Sequence, residues 1–271
     1  MNQKKNYLIF AHYHSKGLIR KDILDFLNES KKFFIKIIFV STKINHSEIK
    51  KISKGIKVIK RKNIGYDFYS YKIGWEYLCK KLRNNYDNKN LFFINSSILF
   101  IKPNRILNLI KKTEIKKNEF WGISRSLELT DHIQSYFFFL SCDLFKNKSI
   151  FNWWKKIKPL NVHYKIILQY ELGLSKLMIK NNIKLMSIYK KNINLKTKNI
   201  FKKTFQRFNE IFLKTPKYYK KDPTNYFWKD FYAKIGIVKI KLVKDNDKKY
   251  NLKKLYNILK RKNLLNVALN N

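Results

Sequence analysis

Acidic residues are scarce in this 271-residue chain: 18 Asp and Glu stand against 60 Lys and Arg, a formal net charge of +42. Such an imbalance favours negatively charged partners: nucleic acid, an anionic membrane or a phosphorylated substrate. The lysines are spread over every segment among abundant Asn and Ile, so most of the excess fits an AT-rich coding sequence. A nucleic-acid reading would rest only on charge and interleaved aromatics, with no recognised module, and nucleic acid is not expected as a partner. Cysteine is nearly absent. Cys79 and Cys142 form neither a disulfide framework nor a zinc set, and both are expected to be buried thiols in a reducing, cytoplasmic compartment. The seven glycines are isolated, with no G-x-G, which removes the dinucleotide fingerprint and the P-loop. H-E-x-x-H, paired C-x-x-C and G-x-S-x-G are missing as well. No apolar run approaches the ~20 residues of a membrane span, and Tyr7–Ala11 is too short for a signal peptide.

What is present is a globular composition, 45% hydrophobic and 16% aromatic. Strands are expected at Tyr7–Ala11, Phe33–Val40 and Ile56–Ile59. Helices fall between them, one marked by Ile19, Ile23, Phe26 and Leu27 and one at Ser47–Lys54. This β-α-β-α-β start predicts an α/β fold with a mostly parallel sheet and flanking helices. A helix follows from Asp67, with Phe68, Tyr71, Trp75, Leu78 and Leu82 on one stripe. The centre of the chain is Leu91–Pro103, where two apolar runs flank Asn95-Ser96-Ser97. The first run reads as a strand buried on both faces, and ligands of open α/β sheets sit beyond the carboxyl ends of such strands.

Further on, Asn104 is expected to cap a helix. Strands are expected at Phe120–Ser124, Tyr136–Leu140 and Ile183–Ile188, with helices around Phe151–Trp154 and over Ile166–Lys180. The basic Lys190–Lys221 region should hold a helix around Ile200–Leu213. A helix over Phe227–Ile235 should stop at Gly236, followed by an alternating strand at Ile237–Val243. Leu252, Leu255, Tyr256 and Leu259 mark a basic amphipathic tail helix, so the chain divides into residues 1–247 and a C-terminal helical extension, 248–271.

Three polar clusters follow expected strands. In Asn63-Ile64-Gly65-Tyr66-Asp67, Gly65 permits a tight turn. Asp67 either caps the helix or accepts hydrogen bonds from a sugar hydroxyl. Asn95-Ser96-Ser97 is the second cluster. The third runs from Trp121-Gly122 to Tyr136 through Arg125, Glu128, Asp131, His132, Gln134 and Ser135; aromatic faces beside carboxylates and amides suit carbohydrate. His132 could equally be a satisfied structural histidine, and His12-x-His14, alternating on a strand, makes a poor metal pair.

In this order the clusters resemble the rhamnan synthesis F family of bacterial polysaccharide and lipopolysaccharide glycosyltransferases. Phe120-Trp121-Gly122, His132-Ile133-Gln134-Ser135-Tyr136-Phe137, Tyr170-Glu171-Leu172-Gly173-Leu174-Ser175 and Asp222-Pro223-Thr224 with Trp228 continue the series. The resemblance implies a GT-A-like domain over residues 1–247. It implies transfer of a sugar, often rhamnose from a dTDP donor, to a growing surface polysaccharide or lipopolysaccharide O-chain, with a glycan or lipid-linked acceptor as partner. Asn63, Gly65, Asp67, Asn95, Ser96 and Ser97 would then bind the nucleotide-sugar donor. Trp121, His132, Gln134, Ser135 and Tyr136 would line the sugar and acceptor cleft. A divalent cation, Mg²⁺ or Mn²⁺, would be the usual cofactor. The chain departs from the family twice, with Ser96 where Asn-Asp-Ser is usual and Asp222 where Asn-Pro-Thr is usual. A hydroxyl is a poor ligand for these hard cations, which leaves Asp222 and Asp245 as alternative metal carboxylates, although Asp245-x-Asp247 also reads as a solvated turn.

The expected reaction is inverting transfer with a carboxylate as general base: Glu171 first, then Glu128 and Asp131. Glu171 could instead serve a salt bridge with one of the many nearby lysines. The rival reading is a degenerate, non-catalytic transferase-like protein that binds anionic glycan, or sits peripherally on the inner face of an anionic membrane through its basic tail.

Overall fold

The computed structural model describes residues 5–83, 85–189, 222–246 and 250–269. The expected helix around Ile200–Leu213, the rest of Lys190–Lys221 and Asp247 lie outside them. The described chain builds a seven-stranded sheet from β1 (Lys5–His12), β2 (Lys36–Ser41), β3 (Lys57–Lys60), β4 (Lys89–Asn95), β6 (Glu119–Gly122), β9 (Phe137–Ser141) and β10 (Lys184–Ser187). Their order is β10-β6-β9-β4-β1-β2-β3. Only β9 runs antiparallel to its neighbours, β4 and β6. The α/β class expected from the sequence, a mostly parallel central sheet with flanking helices, is the one observed.

Strand β4 sits between β1 and β9, and its alternation explains the two-layer core. Leu91 and Phe93 face one side, where the Tyr66–Leu82, Lys148–Lys155 and Leu172–Lys180 helices pack. Phe92 and Ile94 face the other, against the Lys21–Ser30 and Pro103–Lys112 helices. Cross-strand aromatics zip β4 to β9: Phe93–Phe138 at 4.6 Å and Phe92–Phe139 at 4.7 Å. Each fully buried Phe contributes roughly 1.5–3 kcal/mol, so this pairing anchors the one antiparallel strand.

After Asn95-Ser96-Ser97 the chain re-enters a short strand, β5 (Ile98–Phe100), paired antiparallel with β11 (Ile237–Lys239). Two further short strands, β7 (Arg125–Ser126) and β8 (His132–Ile133), pair beside the main sheet. The alternating strand expected over Ile237–Val243 ends at Lys239, and Ile240–Lys244 is helical because Ile240, Leu242 and Val243 pack with the tail helix. That tail helix, Lys253–Arg261, buries Leu255 and Leu259 completely. Asn104 is not the cap of its helix: Pro103 takes the first helical position, where its fixed φ fits, and Lys102 precedes it. Cys142 is buried, while Cys79 is only half-buried. No described helix is long and apolar enough to cross a membrane.

Candidate functional site

One cavity of about 1160 Å³ opens where the carboxyl ends of β1, β2 and β4 meet the turn after β3. It collects Asn63, Gly65, Asp67, Asn95, Ser96, Ser97, Glu128, His132, Gln134, Ser135, Tyr136, Glu171, Asp222 and Asp245, separated by up to 182 positions in the chain. Two candidates fall outside it. Trp121 packs against the core instead, stacking on Phe139 and donating Nε1 to Glu119 at 2.9 Å. Asp131 is held outside the cavity by an ion pair with Arg125, so its carboxylate is not among the groups facing the ligand space.

The turn at Gly65 brings the first cluster in. Gly65 has φ 72°, and a Cβ there would lie 2.7 Å from the Pro159 Cα, so only glycine allows both the backbone and the contact. Tyr66 follows, also with positive φ. Strain of this kind concentrates at ligand sites. Asp67 accepts from Asn95 Nδ2 at 2.7 Å and from the Phe68 amide at 3.0 Å. Burial, reinforced by the Glu171 charge, raises its pKa.

The second cluster is clamped from below. Arg20, nearly fully buried, donates to the carbonyls of Ser96 (2.7 Å) and Ile98 (2.5 Å) and to both oxygens of Asp22. Asp22 in turn accepts from the Phe100 amide at 2.9 Å. Ser96 Oγ is occupied by the backbone of Tyr13, accepting from its amide (3.1 Å) and donating to its carbonyl (3.2 Å).

Glu171 ends a π-helical turn, Ile167–Glu171, inside what the sequence predicts as one helix. The extra residue in that turn shifts its phase relative to the Leu172–Lys180 helix, a feature common at functional sites. Glu171 Oε2 accepts from Ser135 Oγ at 2.5 Å, and Oε1 lies 3.2 Å from His132 Nε2. Burial opposes charge on His132, but Glu171 and the Thr130 carbonyl outweigh it and raise its pKa. The salt bridge foreseen for Glu171 is therefore made with a histidine, not a lysine.

Gln134, Tyr136, Ser124 and Thr224 share a buried network, with Ser124 Oγ donating to Gln134 Oε1 at 2.6 Å and Thr224 Oγ1 at 2.8 Å from the same oxygen. Asp222 accepts from Gln134 Nε2 (3.1 Å), the Thr224 amide (3.0 Å) and Lys239 Nζ (2.7 Å). Burial works against its charge, yet Lys239 and these donors hold its pKa below the ordinary value.

A divalent cation does not fit the described residues. No three His, Cys, Asp or Glu converge among them. The Ser96 hydroxyl is taken by Tyr13, the Asp222 carboxylate by Lys239, and Asp245 stands exposed at the rim. The sequence reading missed Arg20, Asp22 and Lys239, which no motif marks. It also missed the lining residues His12, Thr42 and His163. His12 and Thr42 could have been found from their place at strand ends. His12 is neutral, its pKa lowered to about 3 by burial and by Arg20.

Among curated proteins, the chain is 25% identical to the uncharacterized protein y4gN of Sinorhizobium fredii over 173 residues, 62% of this chain and 44% of that protein. It is 39% identical to virulence protein VirA of Vibrio anguillarum over 80 residues, 30% of this chain and 24% of that protein. The chain thus spans less than half the length of these curated relatives. Among solved structures, glycosyltransferase GlyE of Streptococcus pneumoniae TIGR4 aligns at TM-score 0.42 and 13% identity, covering 99% of this chain and 63% of that one. Galactosyltransferase LgtC, in complex with donor and acceptor sugar analogs, aligns at TM-score 0.37 and 11% identity, covering 67% and 72%. At these TM-scores the likeness carries no inference about mechanism. The family model for rhamnan synthesis protein F matches residues 37–262, most of the chain. The chain belongs to the rhamnan synthesis protein F family.

Proposed function

We propose that this chain is a glycosyltransferase domain that moves a deoxyhexose, rhamnose or a related sugar, from a nucleotide donor to a growing surface polysaccharide or lipid-linked O-chain. The observation that carries the reading is the gathering of Asn63–Asp67, Asn95–Ser97, His132–Tyr136 and Glu171 around one cavity large enough for a nucleotide sugar. The donor lies along the Asn63–Asp67 and Asn95–Ser97 side. The acceptor enters near Ser135 and Glu171.

In the transfer step the acceptor hydroxyl oxygen attacks the anomeric carbon, the bond to the nucleotide phosphate oxygen breaks, and the hydroxyl proton passes to a carboxylate. Glu171 is that base, because it faces the cavity and its two oxygens retain lone pairs beyond the Ser135 and His132 bonds. Glu128, at the rim, is the alternative. Lys241 and Lys244 line the same cavity and supply positive charge for the departing phosphate. No step is assigned to a metal.

The test is a panel of nucleotide sugars, dTDP-rhamnose included, assayed by thermal shift and by donor turnover with and without Mn²⁺. A stabilising donor, turned over by the parent chain and not by Glu171→Gln, is the expected result. Binding without turnover by the parent chain would favour the second reading, a degenerate binder, to which the occupied Ser96 hydroxyl lends support.

A further inference from the structure

We propose that the face formed by the Lys62–Tyr66 turn and the Lys158–Leu168 segment docks on an anionic lipid bilayer. Large apolar side chains usually stand singly on a protein surface. Here Ile64, Tyr66, Val162, Tyr164 and Leu168 are 38–58% exposed and belong to two segments that are packed together. Gly65 rests on Pro159, the Tyr66 and His163 rings are 5.4 Å apart, and Lys72 Nζ reaches the Ile157 carbonyl at 2.9 Å. Arg61 holds the turn itself by donating to the carbonyls of Lys62, Ile64 and Tyr66.

The charge carried by these two segments has one sign. Lys62, Lys156, Lys158 and Lys165 are exposed. No acidic residue occurs between Asp143 and Glu171, and Glu171 is turned inward onto His132 and Ser135. Aliphatic and tyrosine side chains that enter the headgroup boundary, ringed by lysines that meet lipid phosphate, are the chemistry of interfacial binding. The tail helix, the amphipathic candidate from the sequence, lacks such a face, because Leu255 and Leu259 are fully buried against the fold and its exposed positions are Lys253, Lys254, Asn257, Lys260 and Arg261.

Ile64, Tyr66 and His163 also line the cavity, so docking by this face places the cavity mouth at the bilayer. The surface proposal itself does not depend on the transferase reading.

The experiment uses the full chain with Trp introduced as Tyr164→Trp. It compares vesicles of 1:3 phosphatidylglycerol to phosphatidylcholine with pure phosphatidylcholine, the acyl chains brominated. A chain of charge +42 will bind anionic vesicles through many lysines, so the measurement is repeated in 0.5 M salt, where exposed charges are largely screened. The expected result is bromine quenching of the introduced Trp, above that of the parent chain, on the anionic vesicles. Val162→Ser/Leu168→Ser should weaken the salt-resistant binding roughly fivefold to tenfold. Vesicle binding with no added quenching and no effect of the double variant would overturn the proposal. So would an absence of vesicle binding, which would leave the face to a protein partner. No nucleotide sugar is present in this assay, so its failure is separate from failure of the transferase reading.

Discussion

His132 stands between two acceptors, its Nδ1 2.7 Å from the Thr130 carbonyl and its Nε2 3.2 Å from Glu171 Oε1. Only the doubly protonated ring can donate to both, which accounts for the upward displacement of its pKa from 6.5. A raised folded pKa means that the pair's stabilisation is complete below the unfolded value and is lost as pH rises through the folded one. Glu171→Gln should therefore lower the His132 pKa, because burial then acts with less opposition. Imidazole titration by NMR reads this directly, and an unchanged pKa would show that the two side chains are not coupled.

Arg20 and Asp22 form a buried pair under the Asn95–Ser97 turn, each side chain 1% exposed. Removing one partner leaves an uncompensated charge, so Arg20→Met should cost about 3–5 kcal/mol. Arg20→Met/Asp22→Leu should cost less than the single change, although the Phe100 amide then loses its acceptor. Urea midpoints of the two variants decide the order.

Gly65→Ala should destabilise by about 1–3 kcal/mol, since alanine meets both a left-handed φ and the Pro159 backbone. Gly55 also has positive φ, but nothing lies within 4 Å of a Cβ there. Gly55→Ala should consequently cost less in the same denaturation assay, and the difference isolates the packing contribution.

Asp222 owes its lowered pKa, against the pull of burial, to Lys239 and to bonds from Gln134 and Thr224. Its contribution to stability is present above the unfolded value of 3.8 and disappears as pH falls through the lower folded value. Lys239→Met should be clearly less stable than the parent chain at pH 7. The two stability curves should approach each other as Asp222 protonates, which denaturation profiles between pH 2 and 7 would show.

The polar clusters were legible because the fold places strand ends together by rule. Apolar runs followed by Asn63–Asp67 and Asn95–Ser97 predict both the strands and the edge at which a ligand sits. The Tyr66–Leu82 helix was equally plain from its stripe. Trp121 was misplaced by the same reasoning: its strand, β6, contributes no residue to the cavity, and its ring stacks on Phe139 instead. The π turn before Leu172 had no local signal, since its residues also suit an ordinary helix.

The sequence by itself determined the sheet class, the family and the polar clusters that reach the cavity, because these depend on local periodicity and on motifs carried in order. Tertiary structure alone decided which polar groups are already occupied. Ser96 bonds to Tyr13, Asp222 bonds to Lys239, and Glu171, with lone pairs still open to the cavity, bonds to His132, partners lying 83, 17 and 39 positions away. Hydrogen bonds and ion pairs at such separations are set by how strands and helices pack, and no spacing rule along the chain encodes them.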